Sequence, residues 1–284
     1  VSVHNADPSF LGLWGSPERG PDYFYSEYKA MIAQYFPEFN LFHLLIVCLA
    51  FTLGGFVKGI SAFGLPTVAV PIMVFFVPLP TAVAIMILPM MVTNFIQMLV
   101  TGQIKSSILR HWRLYLGLFL GLPIGVYMLS ALNTDNLLIG IGVMLIVIAL
   151  LELSVFSFGF LGRQEKISGP VIGFISGIIG GITTLYATLP VFFFIAIGLE
   201  KEKFVAAVSV MLFSGSIFLM LSLQSMDILG LTELAYSIIG LGPLFLSMWA
   251  GTKVRHLINQ TTFRKFVLIM VAMIGVTMIY RALT

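Results

Sequence analysis

Three groups of residues in this chain have the types and spacing to handle a small charged ligand. The first is Gly54-Gly55-Phe56-Val57-Lys58-Gly59-Ile60-Ser61-Ala62-Phe63-Gly64-Leu65-Pro66-Thr67, which sets a single lysine among glycines and a proline. Lys58 is the one lysine or arginine between residues 30 and 104. A charge in an apolar membrane segment costs at least about 2.5–3.5 kcal/mol, so it either serves a function or snorkels to a membrane face. The second group is Thr93, Asn94 and Gln97, which interrupt an apolar run. Asn94 and Gln97 lie three apart, hence on one helix face, where their amides either bind a ligand oxygen or bond a neighbouring helix. The third group is Thr183, Thr184 and Tyr186, which follow Gly173, Gly177, Gly180 and Gly181.

Glycine in these stretches has two readings. A helix broken at glycine presents unpaired N–H groups and the positive end of its dipole to an anion, and lets backbone approach a ligand closely. Alternatively, Gly55-x-x-x-Gly59 and Gly173-x-x-x-Gly177 are helix-packing faces, the reading preferred for Gly117-x-x-x-Gly121-x-x-x-Gly125. The candidate substrate-binding residues are Lys58, Gly59, Ser61, Gly64, Asn94, Gln97, Gly177, Thr183, Thr184 and Tyr186. His4, His43, His111 and His256 have no metal-ligand spacing, Cys48 is the single cysteine, and no residue pattern calls for a cofactor. Glu152 is a proton-coupling group, a partner for a loop arginine, or a carboxylate that snorkels to the membrane face. Arg110-His111-Trp112-Arg113 and Lys253-x-Arg255-His256 read as interfacial anchors.

The elements that must position these groups follow from composition. Of 284 residues, 59% are hydrophobic and 10% charged, far from the roughly 25% charged of a soluble domain. A net charge of +3 is too small for a nucleic-acid footprint. A spanning helix needs about 20 apolar residues. Uncharged intervals at 59–104, 114–134, 167–199, 204–226 and 234–252 therefore predict a polytopic, all-α membrane protein. Divided at Gly and Pro, the segments run near 41–58, 64–79, 82–101, 114–131, 136–157, 168–184, 187–199, 204–222, 234–252 and 264–282. Residues 1–40 carry an acidic excess and the aromatic run Tyr23 to Phe39. They predict an extracytoplasmic, partly interfacial segment with no signal peptide. The start at Val1 rather than Met suggests that something upstream is missing.

Loop charges then set an orientation. Loops 102–113 and 253–265 hold Lys and Arg without acid, whereas 131–136 and 223–233 hold acid without base. By the positive-inside rule the basic loops, with 158–167, face the cytoplasm of the cell membrane, and both termini lie outside. The halves also match: Gly55, Gly59 and Pro71 correspond to Gly173, Gly177 and Pro190, and Gly125 with Asn133 to Gly251 with Asn259. Equivalent loops carry opposite charge, as expected for inverted repeats over 41–157 and 168–284 joined by a cytoplasmic linker at 158–167. The first two segments of each repeat, interrupted by glycine, are either two spans or a re-entrant pair.

The stretch from Gly54 to Pro71 resembles the sulfite exporter TauE/SafE family, also called the 4-toluene sulfonate uptake permease family. The resemblance lies in Gly55, Gly59, Phe63, Gly64 and Pro71, with Ala62 at a usual glycine, and extends over roughly 43–283. It implies a transporter of small anions, often sulfur oxyanions or organosulfonates, with export the usual direction. The resulting expectation is a secondary transporter that holds sulfite or an organosulfonate at the midplane and works by alternating access. Proton or ion coupling and oligomeric state are left open. A transporter or channel for another small anion such as a carboxylate is the alternative, and a membrane anchor or assembly subunit is a rival from a different class. No Gly-x-Ser-x-Gly elbow, His-Glu-x-x-His or paired intramembrane carboxylate supports an enzyme.

Overall fold

The computed structural model describes residues 40–61, 64–153, 164–257 and 259–283. The N-terminal segment 1–39, Ala62, Phe63 and most of the linker at 158–167 therefore lie outside the described residues, as does the side chain of Glu152. Every regular element among the described residues is a helix. In chain order they are α1 (Leu41–Ser61), α2 (Leu65–Val74), α3 (Leu79–Thr101), α4 (Ile104–Ala131) and α5 (Thr134–Leu153). They continue with α6 (Glu165–Thr183), α7 (Thr188–Ala196), α8 (Lys201–Ser225), α9 (Leu231–Val254) and α10 (Gln260–Leu283). Six of them, α1, α3, α4, α6, α8 and α9, contain stretches long and apolar enough to cross a membrane.

The helices are apolar on more than one face because they meet protein on one side and lipid on the other. On α1, Leu41, Leu45, Leu49 and Leu53 form an exposed stripe at four-residue spacing, while Val47, Ala50 and Phe51 are fully buried. That pattern is unstable in water and suited to hydrocarbon.

The two short helices explain the glycine-rich interruptions. α2 has 10 residues and α7 has 9, so each rises about 15 Å or less, half the hydrocarbon thickness of about 30 Å. The glycine-interrupted pairs are thus one long helix followed by a half-length one. Gly64 precedes α2 with φ of 96°, a left-handed conformation that costs glycine little. Pro66 then fits the first turn, where its missing N–H is no loss. In the second half Thr184 takes the left-handed turn, with φ of 67°.

Packing follows one scheme in both halves. α1 lies on α9 and α6 lies on α4, α3 pairs with α8, and α5 pairs with α10. Advancing every helix number by five maps these pairings onto themselves. The α4–α6 crossing is built from glycine on both sides. A Cβ at Gly121 would run into the Phe174 carbonyl, and one at Gly177 into the Leu118 carbonyl. At the α1–α9 crossing a Cβ at Gly59 would meet the Met248 carbonyl. Without side chains between them the backbones approach closely, the main source of helix association where no hydrophobic effect operates.

Proline inside a membrane helix leaves a carbonyl without its partner, and here a neighbour supplies one. Pro89 in α3 has no N–H to offer the carbonyl of Ile85, four residues back. Ser237 of α9 donates to that oxygen at 2.7 Å, its single proton shared with the Glu233 carbonyl of its own helix at 2.8 Å. A proline in one element is thus tied to a hydroxyl in another.

Candidate functional site

The described core contains one buried member of the Lys, Arg, Asp and Glu set, Lys58, at 6% exposure. Its Nζ donates to Oδ1 of Asn94 at 2.6 Å. Lys58 sits in the last turn of α1 and Asn94 in the last third of α3, so this bond closes the angle between two helices. Rather than snorkelling, the ammonium meets a neutral amide, and no carboxylate pairs with it among the described residues. With Oδ1 committed to the lysine, the Asn94 NH2 group is left to donate to a second partner.

Both residues line a cavity of about 40 Å³. A water needs about 10–15 Å³ of such space, so the cavity has room for a small ion or a few waters. Its walls come from the same part of each half. The start of α2 contributes Pro66 and Thr67 with Gly64 just before it, and the start of α7 contributes Thr188 and Val191 with Ala187 just before it. Two short helices thus present their N-terminal ends to one space, where first-turn N–H groups lack intrahelical acceptors and the dipoles favour negative charge. Thr184 closes the wall from the second half. Its Oγ1 is buried without a hydrogen-bond partner, a donor and acceptor that costs free energy until something occupies it.

Of the ten candidate residues, the structure brings Lys58, Gly64, Asn94 and Thr184 together around this cavity. The others stand elsewhere, each for an identifiable reason. Gly59 and Gly177 are inside unbroken helices at the α1–α9 and α4–α6 crossings. Ser61 donates back to the Val57 carbonyl at 2.8 Å. Thr183 donates to the Ile179 carbonyl at 2.7 Å and accepts from the Leu185 N–H at 3.2 Å, which stabilises the turn. Tyr186 is fully buried, and its hydroxyl donates to the carbonyl of Leu212, a residue of the cavity wall, at 2.8 Å. Tyr186 therefore positions α8 against the turn. Gln97 is half-buried, a turn beyond Asn94 and apart from the cavity-lining set. Sequence reasoning missed Thr67 and Thr188, although each follows its left-handed turn by three or four residues, a signal visible once Gly64 and Thr184 are aligned.

A profile of the sulfite exporter TauE/SafE family matches residues 47–278. The chain belongs to this family. The match covers all the cavity-lining residues, and the family is one of membrane transporters rather than enzymes, so the chain is a multi-pass membrane protein of transporter type. No curated protein and no solved structure gives a match.

Proposed function

We propose that the protein is a secondary transporter that exports a small sulfur oxyanion, sulfite or an organosulfonate, across the cell membrane. The observation that carries the anion reading is Lys58, a buried ammonium held by a neutral amide in a cavity faced by two helix N-termini. Such a site has a positive excess that an anion offsets. The anion accepts from Lys58 Nζ, the Asn94 NH2 group and the Thr184 hydroxyl, while first-turn N–H groups of α2 and α7 complete its shell. The small volume favours sulfite in this conformation, and an organosulfonate requires the site to open. The sulfur identity rests on family membership, since ammonium, amide and hydroxyl serve a carboxylate equally well.

The transport cycle is alternating access between two inverted repeats, 41–157 and 168–284, joined at 158–167. The reciprocal helix pairing supports this reading, and so does the opposite charge of equivalent loops. The half-length helices α2 and α7 rock with their repeats and open the cavity first to one side, then to the other. The basic loops face the cytoplasm and both termini face outward.

The test is counterflow in proteoliposomes containing the purified full chain. Internal unlabelled sulfite is expected to drive saturable, transient accumulation of labelled sulfite. A flux that rises linearly with concentration and shows no exchange would contradict the carrier.

A further inference from the structure

A second and larger cavity, about 870 Å³, lies between the start of α4 and the start of α6. Arg110, Arg113, Lys166 and Glu165 line it together with His111 and Phe193. Three cations face one carboxylate, and the pairing that exists is loose. Arg110 approaches Glu165 at 3.9 Å with both side chains about half exposed, a contact worth little. Arg113 lies over the ring of Trp112, 5.4 Å from its centroid, and keeps its N–H donors available. The concave space thus carries an excess of positive charge, which low-dielectric walls focus inward.

His111 departs from helical geometry inside α4, with φ of −111° and ψ of 15°. It is buried at 5% exposure, yet it lines this space, and its ring packs edge-on against Phe194 at 4.9 Å. An imidazole keeps at least one N–H donor in either protonation state. The central cavity is separated from this one by α7. Thr188 and Val191 face the centre while Phe193, about 7.5 Å further along the helix than Thr188, faces the outer space.

We propose that this cavity is a second oxyanion site, distinct from the one at Lys58, in which Arg110, Arg113, Lys166 and His111 hold a tetrahedral or pyramidal oxyanion. The same chemistry is offered by a free inorganic anion at the membrane surface and by the phosphate of an anionic phospholipid. The site belongs to the outer rim of the helix bundle and does not depend on the transport reading.

Trp112 supplies the readout, in a chain whose other tryptophans are removed as Trp14→Phe and Trp249→Phe. One arm titrates the detergent-purified protein with inorganic phosphate at ionic strength matched by chloride. The other reconstitutes it in phosphatidylcholine vesicles with and without phosphatidylglycerol. A saturable change in Trp112 emission is expected in at least one arm, and the arm that responds identifies the source of the oxyanion. Arg113→Gln with Lys166→Gln, both at exposed positions, is expected to weaken it by about tenfold or more. Arg113→Lys retains part of it, and Lys58→Met leaves it unchanged. No saturable change in either arm, or an equal response in the double variant, would overturn the proposal. A response lost in Lys58→Met would reassign the anion to the central cavity.

Discussion

The turn before α2 and the turn after α6 occupy matching places in the two halves and differ in what they carry. At the first, glycine adopts the left-handed conformation, and the chemistry comes from neighbours, Lys58 on α1 and Asn94 on α3. At the second, Thr184 adopts it, at φ of 67°, and itself brings an unpartnered hydroxyl to the cavity. A β-branched residue in that region costs about 1–3 kcal/mol, whereas glycine pays almost nothing. The Thr184 N–H bond to the Gly180 carbonyl, 2.7 Å, helps to hold the turn. One half thus contributes charge at no backbone cost, and the other contributes a hydroxyl at a conformational cost. On the proposed function, two halves with matching helix pairings would therefore bind the anion asymmetrically.

Exchanging the two turn residues tests that contrast most sharply. A Cβ at Gly64 has room, with Val57 Cγ1 at 3.4 Å and Ser61 Oγ at 3.8 Å, so Gly64→Ala isolates the backbone term. It is expected to destabilise by about 1–2 kcal/mol, read as a lower unfolding temperature in detergent. Thr184→Gly is expected to do the opposite, stabilising by about 1 kcal/mol while weakening anion binding several-fold. Stability unchanged in both variants would remove strain as the distinction.

A smaller effect distinguishes α3 from its counterpart α8. α3 contains Pro89 and α8 contains no proline, so Ser237 serves a carbonyl for which α8 has no equivalent. Ser237→Ala leaves the Ile85 oxygen without its cross-helix donor and is expected to cost about 1 kcal/mol. Thermal unfolding of this variant beside Ser209→Ala, whose hydroxyl bonds only within α8 at the Val205 carbonyl, checks it. An equal effect from both would show that the interhelical bond adds nothing.

Much of the helix order was legible in the chain because charge marks segment ends and Gly and Pro mark interruptions. The ten expected segments and the ten described helices agree to within several residues at most ends. The largest shift is at α4, which begins at Ile104 rather than near 114, and the next is at α2, which stops at Val74 rather than near 79. Lys58 and Asn94 stood out for the same reason, since polar groups are rare in such runs. The role of the other glycines was not legible. A ligand approaching backbone and a helix approaching backbone both require a missing Cβ, and only the neighbours at Gly59 and Gly177 separate the two. Helix spacing placed Gln97 on the face of Asn94, but the cavity is one turn deep and takes Asn94 alone of the pair. Arg110 and Arg113 read as interfacial anchors from the sequence, which does not show the concave space that they line between α4 and α6.

The central claim is that Lys58 is the charge that binds the transported anion. Its most direct test is sulfite-dependent thermal stabilisation of the detergent-purified protein at ionic strength matched with chloride, comparing the native chain with Lys58→Met and Lys58→Arg. The account predicts a rise in unfolding temperature with sulfite in the native chain, its loss in Lys58→Met and partial retention in Lys58→Arg. Equal stabilisation of the native chain and Lys58→Met would contradict it.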